Sequence, residues 1–326
     1  MTFKGSIPAV ITPFYKNLDV DFDSLGNHID FLIENGSHGL VSCGTTGESP
    51  TLTHDEHMLV TEFIIKRAKS RVPVMAGCGS NSTKESVELS KHAYSSGAKG
   101  NLLVTPYYNK PTEIGLYKHF KTIAESSPSL PVYLYNIPGR SILKLSTNLI
   151  KKLSNIKNIV GVKDATADLA TPLEVSYLCG DKFIQLSGED ATFLAFLVSG
   201  GSGCISVTAN VAPKLCSELY NSWVKQDLKR CMEINSILYP LNKALFIETS
   251  PCPVKYALSK MKRCTNKLRL PLVSVKNETK KEIDITLKNM KLISNSPYRG
   301  INFFTFRNNR PISPKQYTYF IKSKLF

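Results

Sequence analysis

The 326-residue chain has a formal charge of +15, with 42% hydrophobic and 21% charged residues, the balance of an ordinary globular protein that can bury a large core. No apolar run is long enough to span a bilayer, and the opening Met1-Thr2-Phe3-Lys4-Gly5-Ser6-Ile7-Pro8 lacks the apolar stretch of a signal peptide, so a cytoplasmic location is expected and no membrane partner. The positive charge forms no focused nucleic-acid footprint: six basic residues (Arg299, Arg307, Arg310, Lys315, Lys322, Lys324) lie in an acid-free terminal stretch, and the remainder is spread along helices.

Through the first two thirds of the chain one unit recurs: a short apolar strand, a polar turn, an amphipathic helix. The pattern predicts strands over 6–12, 39–43, 73–77, 101–105, 132–136, 159–163, 183–187 and 203–207. Helices are predicted between them, near 24–35, 54–70, 83–96, 112–126, 146–154, 168–179 and 190–199. Two of these open with capping boxes, Thr53-x-x-Glu56 and Ser82-x-x-Glu85, and glycines 36, 97, 180 and 200 stand where helices should stop. Eight strands alternating with helices predict an α/β fold, a (β/α)₈ barrel. A doubly wound open sheet is the alternative, but it usually has a Gly-rich loop after its first strand, where this chain has Thr12-Pro13-Phe14. From Pro213 the pattern is helical only (213–225, 227–243, 252–262, 276–291). The expected organisation is a catalytic barrel over 1–225, a small helical domain over 226–293, and a basic, poorly ordered extension over 294–326. The eight cysteines (43, 78, 179, 204, 216, 231, 252, 264) form no CxxC pair and no zinc-like cluster, so reduced structural thiols and no metal are expected.

In a barrel the loops that follow the strands build the site at one mouth. Lys163 closes an apolar strand, where burial favours the neutral amine, its nucleophilic form. Gly161 lies two residues back on the same face and is expected to leave room beneath the lysine stem. Tyr135 ends the preceding strand, and Arg140 lies just beyond it after a Pro-Gly turn. An amine, a phenol and a guanidinium together suit an enzyme that forms an imine with a keto acid. After the second strand, Gly44-Thr45-Thr46-Gly47-Glu48 offers a tight turn with two hydroxyls; after the fourth, Pro106-Tyr107-Tyr108-Asn109 sits between prolines.

These motifs, with Gly203-Cys204-Ile205-Ser206-Val207-Thr208-Ala209-Asn210, resemble the dihydrodipicolinate synthase and N-acetylneuraminate lyase family of class I aldolase-type barrels, from about Phe3 to Ile293. The resemblance implies condensation of pyruvate with L-aspartate 4-semialdehyde, in lysine and diaminopimelate biosynthesis, with no cofactor. It implies that Lys163 forms the imine, that Tyr135 moves protons, and that Thr45 and Tyr108 complete a hydroxyl relay, Tyr108 reaching into a neighbouring subunit. Thr46 and the Ile205 backbone would hold pyruvate, and Arg140 would meet the semialdehyde carboxylate. A homotetramer built from tight dimers is implied. So is feedback by L-lysine between subunits, at Ser49, His54, His57, Asn81, Glu85 and Tyr107, although Glu85 in a capping box and His54-x-x-His57 on an exposed helix face are the plainer readings. The rival within the family is a lyase of sialic acid or of a keto-deoxy sugar acid. It would use the same lysine but would usually lack this arginine and the tyrosine relay.

Overall fold

A computed structural model describes residues 3–294. Its eight strands are β1 (Gly5–Pro8), β2 (Leu40–Ser42), β3 (Val74–Gly77), β4 (Gly100–Val104), β5 (Val132–Asn136), β6 (Ile159–Asp164), β7 (Ile184–Ser187) and β8 (Gly203–Ser206). All neighbours pair in parallel in the order β1-β8-β7-β6-β5-β4-β3-β2. The ring closes where Ala9 bridges Val41 and the Val10 N–H donates to the Val41 carbonyl at 3.0 Å. The predicted (β/α)₈ barrel is the fold of the chain. Its first strand spans Gly5–Pro8 where 6–12 was expected, although pairing runs on past Pro8, the Ala9 N–H donating to the Ser206 carbonyl at 2.9 Å.

The helices are α1 (Phe22–Glu34), α2 (His54–Ala68), α3 (Thr83–Ser95), α4 (Glu113–Ser126), α5 (Pro138–Ser141), α6 (Thr147–Ser154), α7 (Thr171–Cys179), α8 (Phe193–Val198), α9 (Pro213–Val224), α10 (Leu228–Ala244), α11 (Cys252–Lys260) and α12 (Asn277–Asn289). The single turn α5 carries Arg140 and was not expected. At α2 the capping box is complete: the Glu56 N–H donates to Thr53 Oγ1 at 3.2 Å and the Thr53 N–H to Glu56 Oε2 at 2.9 Å. At α3 only half of the predicted box forms. The Glu85 N–H reaches Ser82 Oγ at 3.4 Å, but the Glu85 carboxylate accepts from Ser80 Oγ and faces His54 Nε2, while Ser80 Oγ takes the Ser82 N–H at 3.0 Å. A serine two residues upstream competes for the reciprocal bond and wins it.

Successive strand residues face opposite sides, so Leu134 and Val162 join the layer of helices while Tyr133 and Tyr135 point into the barrel. The amino-terminal end of the barrel is plugged by Phe3 and Tyr133, packed edge-on with ring centroids 5.7 Å apart, among Ile7, Met75, Leu102 and Ile184. Gly161 belongs to this plug. A Cβ there would come within 2.8 Å of the Tyr133 ring and 2.4 Å of the Ile184 carbonyl oxygen, so the glycine accommodates the tyrosine and not the lysine stem as expected. Room beside Lys163 comes instead from Gly188 after β7, where a Cβ would stand 2.9 Å from Lys163 Cε. With one end plugged, the opposite mouth remains for a site.

Helices α10, α11 and α12 pack against α9 and the chain after β8 through Ile234, Leu238, Leu241, Val254, Leu258 and Ile283, in one core with Ile11, Val211 and Leu219. Residues 3–293 fall within one compact unit. The eight cysteines are free thiols, six of them buried. Among the described residues no helix is long and apolar enough to cross a membrane. Apart from Ser294, the expected basic extension lies outside the described residues.

Candidate active site

A cavity of about 90 Å³, open to solvent, occupies the carboxyl-terminal mouth of the barrel. Lys163 and Tyr135 face each other at its wall because β6 and β5 pair in a register that sets these two residues side by side on the inward face. Lys163 Nζ lies 4.0 Å from the Tyr135 ring centroid, and both side chains are buried, at 7% and 6% exposure. An amine held against an aromatic face, with Gly188 keeping its stem free, has little freedom except toward the cavity.

Strand ends and loops supply the other walls. The turn after β2 brings Thr45 and Thr46, whose hydroxyls make no hydrogen bond among the described residues. Ile205 of β8, 2% exposed, adds apolar wall. Arg140 on α5 stands at the exposed rim and donates from Nη2 to the Ser250 carbonyl at 3.1 Å. Phe246 and Ser250, from the segment between α10 and α11, line it too. Neither was foreseen, since that segment carries no strand-end signal.

Charge around the mouth is managed by burial. Asp190, after β7, accepts from Ser206 Oγ, from the Val207 N–H at 2.9 Å and from the Thr208 N–H at 3.2 Å, which fixes the chain leaving β8 next to Ile205. Burial raises its pKa, opposed by those donors and by the charge of Lys163. Cys43 lines the cavity, yet burial pushes its thiol up to about 12, so it is no competing nucleophile near neutrality.

Lys163, Tyr135, Thr45, Thr46, Arg140 and Ile205 thus meet around one cavity. Tyr108 does not: it is 91% exposed and lies outside the cavity of its own chain. Its backbone is held in a γ-turn with φ 72°, the Asn109 N–H donating to the Tyr107 carbonyl at 2.9 Å, a rare and strained conformation for a tyrosine. Asn81 and Asn109 hold that turn from its flanks, Asn81 Nδ2 on the Tyr107 carbonyl at 3.1 Å and Asn109 Nδ2 on the Asn81 carbonyl at 2.8 Å.

The six residues suggested for an effector divide among three places. Ser49 lines the cavity, while His54, Glu85, Asn81 and Tyr107 lie along the outer rim formed by the start of α2, the loop before α3 and the loop after β4. His57 turns inward. It is 7% exposed, its Nε2 is 2.8 Å from the Gly77 carbonyl, and burial lowers its pKa, so the exposed face expected for His54-x-x-His57 does not exist.

The sequence model of the dihydrodipicolinate synthetase family matches residues 2–290. The chain belongs to this family. Among its relatives, the 4-hydroxy-tetrahydrodipicolinate synthase of Bartonella bacilliformis is 50% identical over 291 residues, which cover 89% of this chain and 99% of that protein. The crystal structure of chloride-inhibited dihydrodipicolinate synthase from Acinetobacter baumannii, complexed with pyruvate, is 42% identical with a TM-score of 0.87, covering 90% of this chain and 100% of that one. Dihydrodipicolinate synthase from Cyanidioschyzon merolae, with lysine bound, is 32% identical with a TM-score of 0.86, covering 89% and 99%. The family match ends at the close of α12.

Proposed function

We infer that the chain is a 4-hydroxy-tetrahydrodipicolinate synthase, which condenses pyruvate with L-aspartate 4-semialdehyde through an imine on Lys163. The observation that carries this reading is the buried Lys163 amine set against Tyr135 in a cavity whose rim bears Arg140, in a chain half identical to proteins of that name.

The chemistry follows from the groups at the mouth. The Lys163 amine attacks the keto carbon of pyruvate, and loss of water leaves an iminium. Its electron demand acidifies the methyl group, whose proton leaves to give an enamine. The enamine carbon attacks the aldehyde carbon of the semialdehyde, and the semialdehyde amino group then displaces Lys163 as the ring closes. Each step moves a proton, which suits a phenol beside the amine with hydroxyl partners, Tyr135 with Thr45 and the partner-borne Tyr108. Thr46 and the Ile205 backbone hold the pyruvate carboxylate, and Arg140 takes that of the second substrate. Purified protein should consume pyruvate only when aspartate semialdehyde is present and should not cleave N-acetylneuraminate or keto-deoxy sugar acids; cleavage of either sugar acid would favour the lyase reading.

The same reading makes the protein a cytoplasmic enzyme with a barrel over 1–225 and a helical domain over 226–293. It also makes it a homotetramer of tight dimers. Tyr108 is strained, clamped and exposed, which has a purpose if a second subunit supplies the cavity it enters. Light scattering at assay concentration is therefore expected to give a tetramer, and Tyr108→Ala to lose activity with its own imine site intact. A fully active monomer would refute this.

Lysine feedback belongs to this proposal too. Glu85 is free of the reciprocal cap and sits at the rim with His54, beside the Asn81–Tyr107 contact. Lysine is expected to inhibit the wild type and to inhibit Glu85→Ala much less. Equal inhibition of both, or none of the wild type, would remove Glu85 from any effector site.

A further inference from the structure

The turn that carries Thr45 and Thr46 has little in its own sequence to hold it still, since glycines stand at both 44 and 47. It is held from behind. Thr12 Oγ1 donates to the Gly47 carbonyl at 2.7 Å. The next residue, Glu48, adopts the left-handed conformation at φ 55°, uncommon for a residue with a Cβ, and turns its side chain away from the cavity. There Glu48 Oε1 accepts from Lys255 Nζ at 2.6 Å, and Oε2 from the backbone N–H of Arg269 at 3.1 Å. Lys255, on α11, also donates to the Thr12 carbonyl at 2.9 Å and lies 4.1 Å from the Phe14 ring centroid. Both charged side chains are 0% exposed.

A fully buried ion pair is a weak source of stability, because desolvating two charges offsets most of their attraction and an apolar pair of similar volume often does as well. What the pair provides is a fixed distance. It joins the helical segment to the back of the turn whose front lines the same cavity as Lys163, and it uses both carboxylate oxygens to do so. We propose that Lys255 and Glu48 are positioning residues for the condensation, setting the placement of the Thr45–Thr46 hydroxyls over the imine lysine. This rests on the reading of the cavity as the pyruvate site. The helical segment then contributes to catalysis without touching the reacting atoms.

The test is the double variant Glu48→Gln/Lys255→Met, which removes both charges while the introduced amide oxygen can still accept from the Arg269 N–H. It is expected to fold with a melting temperature near that of the wild type. A displaced turn should nevertheless lower kcat/KM for pyruvate about 10- to 100-fold, the scale of a misplacement of order 1 Å. Borohydride should still trap pyruvate at saturating concentration, because the amine itself is untouched. A merely structural pair would change the melting temperature and leave kcat and KM of the folded protein as they were, and that result overturns the proposal. Should the double variant not fold, Thr12→Val removes a single bond of the same brace. It is expected to raise the pyruvate KM by about 2- to 10-fold, and an unchanged KM is equally fatal. A wild type inactive with pyruvate and aspartate semialdehyde would instead dispose of the underlying reading.

Discussion

Lys163→Ala is expected to lower turnover by at least about a thousandfold, because no other group at the mouth can hold pyruvate covalently while its methyl group is activated. In the wild type, borohydride with pyruvate should add one adduct, and peptide mass spectrometry should find it at Lys163 alone. The variant should remain unlabelled and folded. Its missing stem opens onto a cavity already joined to solvent, so the truncation leaves no dry void of the kind that destabilises cores. Lys255 serves as the internal control. Among the described residues it is the other buried lysine, but burial beside Glu48 closes it off from the cavity. Labelling of Lys255, or labelling of the variant, would sink the assignment.

Arg140→Ala is expected to separate the two substrates. Pyruvate trapping should proceed almost as in the wild type, while kcat/KM for aspartate semialdehyde falls about 10- to 150-fold. That is the range for losing one charged hydrogen-bonding partner worth roughly 1.5–3 kcal/mol. Arg140 stands at the exposed rim of the cavity, where its bond to the Ser250 carbonyl holds the guanidinium. Arg140→Lys should rescue only part of the loss, since an ammonium keeps the charge but not the planar fork. Equal losses in trapping and in turnover would show that Arg140 serves pyruvate instead.

Much of the barrel was legible because its strands are short, apolar and bounded by turn residues, a pattern local enough to survive in one dimension. The strand-end lysine and tyrosine were legible for the same reason, as a polar group closing an apolar run is unusual wherever it falls. The signals that failed depended on neighbours distant in sequence. Gly161 looked like space for the lysine stem because the two share a face, and only the Tyr133 ring from the adjacent strand shows what fills that space. Glu85 fitted a capping box until Ser80 competed for it. His57 read as exposed because nothing in α2 announces that Gly77 offers it a carbonyl. The Glu48–Lys255 pair joins positions 207 residues apart, and no periodicity reports such a distance. Phe246 and Ser250 reach the cavity from an irregular segment, where pattern has no purchase.

The barrel is sewn shut by its two ends: β1 pairs along its length with β8, Gly5 with Gly203, whereas a lone bridge at Ala9 joins it to β2. During synthesis the first strand therefore exists long before its main partner. At roughly 5–20 residues per second it waits about 10–40 s with one edge unpaired. Its brevity, and the proline at its end, keep that waiting edge a poor template for pairing with another chain.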